Sequence, residues 1–187
     1  AIAAGTLRDR LSSGAVSVDV AVAAVVEANA AIFQGAHNNI EQRGMGTTLT
    51  ALCVLTTPEV APRFALVNVG DSRTYVVRGG RLSRVSLDHS YVQELVSTGH
   101  ISEQEARHHP RRNIVTRALG IDPTVEPEIH EYDALPGDIY LLCSDGLCDM
   151  VSDEDISMVL QTLGANLQLC VHQLVQMAND NGGRGNV

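Results

Sequence analysis

The chain has 187 residues, 44% of them apolar and 3% aromatic, with no Trp, which is one domain's length of chain with a core of Val, Leu, Ile and Ala. A formal net charge of −9 argues against nucleic acid as a partner, since phosphate neutralisation needs a basic surface. The four cysteines, Cys53, Cys143, Cys148 and Cys170, form no CxxC pair, which speaks against a disulfide framework or a thiolate zinc site and for a reducing, cytoplasmic setting.

In chain order, residues 1–14 read as a short helix and loop. Ser17 to Phe33 holds both an alternating pattern (Val16, Val18, Val20, Val22) and a helical one (Val18, Val22, Val25, Asn29, Ile32, Phe33). An Ala-rich stretch of this length without Gly or Pro is too long for an ordinary strand, so it is read as a helix. Ser17 is its expected N-cap and Gly35 its expected stop. No apolar run is read as a membrane span and none as a signal peptide. Thr47–Leu55, Phe64–Val69, Thr74–Arg78 and Leu82–Ser86 read as strands. Arg78-Gly79-Gly80-Arg81 joins the last two as a tight hairpin, and the close spacing of the set suggests an antiparallel meander.

Residues 88–118 differ: low in apolar content and high in charge, they read as a surface excursion. It carries a helical patch at Tyr91–Ser97, a capping box from Ser102 to Glu105, and the run His108-His109-Pro110-Arg111-Arg112. Glu128–Tyr132 and Asp138–Cys143 read as strands around a Pro136-Gly137 turn. Ser152–Leu163 and Ala165–Ala178 read as helices. Helix, strands, excursion, strands and helices make an α+β chain.

Two segments carry chemistry. Leu141-Leu142-Cys143-Ser144-Asp145-Gly146-Leu147 ends an apolar run that reads as a buried strand on a carboxylate, and burying an ionised carboxylate is costly unless it is paired or bound to a metal. Leu66-Val67-Asn68-Val69-Gly70-Asp71-Ser72-Arg73 repeats the design. Two such carboxylates aimed at one place would bind a hard cation such as Mg²⁺ or Mn²⁺; the other reading is that each Asp closes a turn.

Gly44-Met45-Gly46-Thr47-Thr48-Leu49, Val69-Gly70-Asp71-Ser72-Arg73, Asp88-His89-Ser90, Pro136-Gly137-Asp138, Cys143-Ser144-Asp145-Gly146-Leu147 and Gly182-Gly183-Arg184 occur in the order found in bacterial metal-dependent Ser/Thr protein phosphatases of type 2C, and the chain resembles that family over nearly its whole length. The resemblance implies an α-β-β-α sandwich of two antiparallel sheets flanked by helices, with residues 1–187 as a single catalytic domain lacking the family's first and last strands. It implies hydrolysis of phosphoserine and phosphothreonine in proteins by a metal-activated water, with two to three Mn²⁺ or Mg²⁺ ions. Partners would be phosphorylated proteins, with Ser/Thr kinases and their substrates among them.

Carried over residue by residue, Asp145 matches a ligand of the dinuclear centre, and Gly146 would let the backbone turn sharply beside the metal. Asp71 matches a carboxylate that some bacterial members use for a third ion, or else it makes an Asx turn. Residues 88–118 correspond to the family's flap, where His108, His109, Arg111 and Arg112 contact a phosphopeptide or form a solvated charged surface. Two departures stand out. The family's opening motifs, which supply a bridging Asp, a phosphate-contacting Arg and a His acid, do not occur here, so those catalytic roles have no residue in this chain. Gly185 stands where the family has a further Asp ligand. The chain is therefore read as a fragment of a larger phosphatase or as a divergent, catalytically silent member serving as a phosphoprotein-binding or regulatory module.

Overall fold

The computed structural model describes residues 2–12, 14–56 and 62–183. In chain order these form α1 (Ile2–Leu11), α2 (Val18–Asn38), β1 (Leu49–Leu55), β2 (Arg63–Val69), β3 (Arg73–Arg78), β4 (Arg81–Arg84), α3 (Tyr91–Ser97), α4 (Glu103–His108), β5 (Glu128–Asp133), β6 (Ile139–Cys143), α5 (Asp145–Cys148), α6 (Asp153–Leu163) and α7 (Leu167–Asp180). The α+β class expected from the order of patterns is the class found. The strands form two antiparallel three-stranded sheets, ordered β1-β2-β5 and β4-β3-β6. This is not a meander: the chain leaves one sheet after β2 and enters the other at β3, and does the same between β5 and β6. The backbone divides into two compact units, Ala1–Asp71 with Leu87–Ala134, and Ser72–Ser86 with Leu135–Val187.

The first unit is built on α2 and the β1-β2-β5 sheet. Ser17 caps the helix, its side chain accepting the Val20 N–H at 3.3 Å. Ala21, Ala24, Val25, Ala28 and Ile32 recur at helical spacing and share one buried cluster with Cys53 and Leu55 of β1 and Ala65, Val67 and Val69 of β2. Each Val or Ile buried there contributes about 1.5–3 kcal/mol. The helix is 21 residues long and apolar enough to cross a membrane by length and composition, contrary to the sequence reading, but its buried face makes it the core helix of this unit. It also passes through Gly35, expected to end it: the Gly35 carbonyl accepts the Asn39 N–H at 3.1 Å, and Ala36 beyond it is buried. A glycine with an ordinary helical φ is no stop signal. Asn29, 1% exposed on the same face, pins an incoming loop by accepting the Gly120 N–H at 2.8 Å and donating to the Asp122 carbonyl at 3.1 Å.

Thr47, expected to open the first strand, lies outside β1 and pairs instead with Leu119 as an isolated bridge. The excursion after residue 87 is closed at its base, where Thr116 N–H donates to the His89 carbonyl and Tyr91 N–H to the Ile114 carbonyl, both at 2.9 Å. Within it, α4 starts with the expected capping box: Ser102 Oγ accepts the Glu105 N–H at 3.2 Å and Glu105 Oε2 accepts the Ser102 N–H at 2.8 Å.

The second unit packs α6 on β3 and β4, with α7 against α6 and α5, and has Val77, Leu147, Ile156, Leu160, Cys170 and Leu174 in its core cluster. Gly79 and Gly80 take φ of 57° and 75°, the paired positive values of a two-residue hairpin turn. Ser152 caps α6, and α7 starts two residues later than expected because Asn166 takes the capping role, accepting the Leu169 N–H at 3.1 Å. Tyr75, 1% exposed, donates its hydroxyl to Asp153 Oδ1 at 3.1 Å and accepts from Arg73 Nη1 at 3.3 Å. Burial raises its phenol pKa, so the proton stays on the donor. Among the described residues β6 is an outer strand of its sheet and Leu142 is 41% exposed, so the run read as a buried strand is only partly covered.

The Pro136-Gly137-Asp138 motif has a structural role. Arg78 donates Nε to Asp138 Oδ1 at 3.0 Å and Nη2 to Oδ2 at 2.7 Å, while Oδ2 also accepts the Leu135 N–H at 3.0 Å and the Tyr140 hydroxyl at 3.1 Å. These donors hold the carboxyl at about 2, with Arg78 the largest cause, against an ordinary value near 3.9. A depressed carboxyl pKa contributes stability that is complete above the unfolded value and is lost as pH falls from about 4 through about 2. Asp138→Asn is expected to lower the melting temperature by a few degrees at pH 7 and by much less near pH 2, measured by circular dichroism.

Candidate metal centre

Asp71 leaves the end of β2 through Gly70, whose φ is +105°. A Cβ at this position would stand 2.4 Å from Thr48 Cγ2, so only glycine lets β2 run this close to the start of β1. Both backbone groups of Gly70 bond to one residue: its N–H donates to His89 Nδ1 at 3.1 Å, and its carbonyl accepts the His89 N–H at 2.9 Å. The Gly70 carbonyl also accepts from Asn68 Nδ2 at 3.3 Å, and Asn68 Nδ2 reaches the Leu87 carbonyl at 3.2 Å. Asn68 is fully buried, and its Oδ1 has no hydrogen-bond partner among the described residues. Asp71 itself is half-buried.

His89 is half-buried. With Nδ1 accepting, the neutral ring carries its proton on Nε2, which lies 3.4 Å from Arg117 Nη1. Burial first, and the Arg117 charge second, hold its pKa below the ordinary histidine range, with Glu128 and Asp88 acting in the opposite direction. The ring is therefore neutral at pH 7 and able to accept. The sequence marked Asp88-His89-Ser90 as a motif without a role; nothing in its spacing showed that His89 would meet Gly70.

Asp145 belongs to the second unit, as the first residue of the short helix α5. Its side chain is exposed, which corrects the expectation of a buried carboxylate: the strand before it is an outer one, and the chain coils outward immediately after. No side-chain hydrogen bond or ion pair engages this carboxylate among the described residues, so its oxygens are open to solvent and to a cation. Gly146 is buried inside α5 and lacks a positive φ; the sharp turn expected of it is an ordinary helical turn. Gly185 lies outside the described residues.

Of the excursion residues, His109 and Arg111 gather on one ring. The His109 and Tyr91 ring centroids are 5.9 Å apart, and the Arg111 guanidinium carbon is 5.7 Å from the Tyr91 centroid. His109 Nδ1 accepts the Arg111 N–H at 3.1 Å. His108 ends α4 exposed, and Arg112 is half-exposed.

The carboxylates suit a hard cation such as Mn²⁺ or Mg²⁺ in kind, but not in number. Among the described residues no group of three His, Cys, Asp or Glu side chains is placed to hold an ion. Two dications sharing a site need more anionic ligands than Asp71 and Asp145 supply, so the described residues do not by themselves make a dinuclear centre.

No family model matches the chain. It is 42% identical over 165 residues to the serine/threonine protein phosphatase PstP of Mycobacterium tuberculosis, a match covering 88% of this chain and 30% of that protein. It is 36% identical over 163 residues to the serine/threonine phosphatase Stp of Listeria monocytogenes, covering 87% of this chain and 62% of that one. The chain thus spans under two thirds of the length of these curated relatives. The crystal structure of the catalytic domain of PstP in complex with two manganese ions superposes with a TM-score of 0.84 at 36% identity, covering 99% of this chain and 75% of that one.

Gly70→Ala is expected to cost about 2–3 kcal/mol of stability, since it combines a forbidden φ with a backbone-close clash. Gly79→Ala, with φ +57° and nothing within 4 Å of its Cβ position, is expected to cost about 1 kcal/mol. Urea unfolding of the two variants checks the difference.

Proposed function

We propose, on the premise that this chain belongs to the PP2C-type family of bacterial serine/threonine protein phosphatases, that the protein hydrolyses phosphoserine and phosphothreonine in other proteins and depends on Mn²⁺ or Mg²⁺ to do so. The observation that carries this reading is the likeness, over nearly the whole chain, to a phosphatase domain solved with manganese bound. Asp145, an open carboxylate just after β6, is assigned as a ligand of that centre, with Gly146 next to it in the chain, and Asp71 as a ligand of a further ion. His109 and Arg111 around Tyr91, with His108 and Arg112 next to them, are the cationic surface offered to a phosphopeptide, and residues 88–118 serve as the flap. Ser/Thr kinases and their targets in the cytoplasm are the proteins such an enzyme opposes.

A second reading is favoured by Gly185 and by the small number of ligands: a catalytically silent family member that binds phosphoproteins or regulates a partner. Metal stoichiometry separates the two, because a working centre takes up two or more Mn²⁺ ions in a calorimetric titration and a silent one takes none or one weakly.

The full-length protein is expected to release phosphate from a phosphothreonine peptide with Mn²⁺ present and to stop when the metal is chelated. Asp145→Asn is expected to lower kcat by about a hundredfold or more while leaving the fold intact, since a lost ligand carboxylate weakens both ion binding and charge stabilisation. A full-length protein that takes up Mn²⁺ and still releases no phosphate would favour the silent reading.

A further inference from the structure

Two side chains of the first unit hold the backbone of Gly70, and a third holds the nearby Leu87. From β2, Asn68 Nδ2 donates to the Gly70 carbonyl at 3.3 Å and to the Leu87 carbonyl at 3.2 Å. From β5, the Glu128 carboxylate accepts the Leu87 N–H at 3.0 and 3.2 Å. From the base of the excursion, His89 holds the Gly70 N–H with its ring at 3.1 Å and the Gly70 carbonyl with its own N–H at 2.9 Å. The His89 carbonyl in turn accepts the Thr116 N–H at 2.9 Å, and Ser90 bridges to Val115, so the outgoing and returning arms of the excursion are sewn together at the residue that grips Gly70.

We propose that His89 is a positioning residue that sets the direction in which the chain presents Asp71 and ties that direction to closure of the 88–118 excursion at its base. Gly70 is buried, and the ring is the acceptor its N–H has; with that acceptor gone, a buried donor is left unsatisfied and the turn relaxes. A glycine has no side chain to restrain it, so the torsions at Gly70 depend on these external bonds. The Gly70 amide donates to the His89 ring at Nδ1, Arg117 lies 3.4 Å from Nε2, and Asp88 and Glu128 are the negative charges that act on the ring.

The clasp makes ion binding at Asp71 and closure of the excursion base mutually dependent: whatever favours one favours the other by the same factor. The metal part of this statement rests on the reading of Asp71 as a ligand; the clasp rests on the bonds alone. It also separates His89 from the cationic surface at Tyr91, since His89 acts on the backbone of a strand end and not on substrate.

The test is amide hydrogen exchange and Mn²⁺ titration on the full chain. His89→Ala is expected to speed exchange at Gly70 and Thr116 by about tenfold relative to Val67 in the middle of β2, and to weaken Mn²⁺ uptake about tenfold. His89→Asn, whose Oδ1 is an acceptor close to the position of Nδ1, is expected to restore slow exchange and tight uptake. Unchanged exchange at Gly70 in the Ala variant overturns the proposal. So does an Asn variant that exchanges as fast as the Ala variant while Val67 stays protected. If the Ala variant does not fold, the Asn variant decides alone, by whether its Gly70 amide exchanges as slowly as in the unsubstituted chain. If the unsubstituted chain takes up no Mn²⁺, as a chain with too few ligands would not, the amide comparison alone decides the clasp.

Discussion

The close approach at Gly70 is the constraint on which the first unit depends. A strand can run within contact distance of its neighbour's first residues only where no side chain intervenes, and here even a methyl group would stand 2.4 Å from Thr48. That approach keeps β2 central, with β1 and β5 paired on its two sides through registers running to Leu49↔Val69 and Asn68↔Glu128. It also brings the Gly70 backbone within reach of His89. Backbone conformation, strand pairing and the attachment of the excursion are thus one arrangement, and each part limits the others.

The two units solve the same problem with different materials. In the first, small residues on one face of α2 let a long helix lie close to the sheet, and the one buried polar residue on that face, Asn29, has both ends of its amide engaged. In the second, paired polar groups sit at the rim of an aliphatic core: Arg73, Tyr75 and Asp153 in one chain of bonds, Arg78, Asp138 and Tyr140 in another. With few aromatic residues to supply bulk, close helix approach and saturated polar contacts contribute the specificity that large side chains give elsewhere.

The two acidic side chains assigned to metal differ in their surroundings, and the difference has chemical meaning. Asp71 is half-buried behind a turn fixed by four hydrogen bonds of the Gly70 neighbourhood, so its approach direction is set before any ion arrives. Asp145 is exposed at the first residue of a single helical turn, where its oxygens keep their water until an ion displaces it. An open carboxylate loses less on meeting a dication than a buried one would lose by waiting for it.

Local chemistry was legible in the sequence wherever one residue type has one physical use. Adjacent glycines gave away the 79–80 hairpin, Ser17, Ser102 and Ser152 announced helix starts, and the length of the Ala-rich run settled the long helix despite its competing alternation. The ordered motifs around Gly70, Asp71 and Asp145 identified the family for the same reason. What the tertiary structure decided is everything that depends on residues far apart in the chain: that β2 and β3 belong to different sheets, that β6 is an outer strand so Asp145 meets solvent, that Asp138 answers Arg78 sixty positions away, and that His89 closes on Gly70. A sequence records which side chains are available for a bond; only the folded backbone brings a donor within 3 Å of its acceptor.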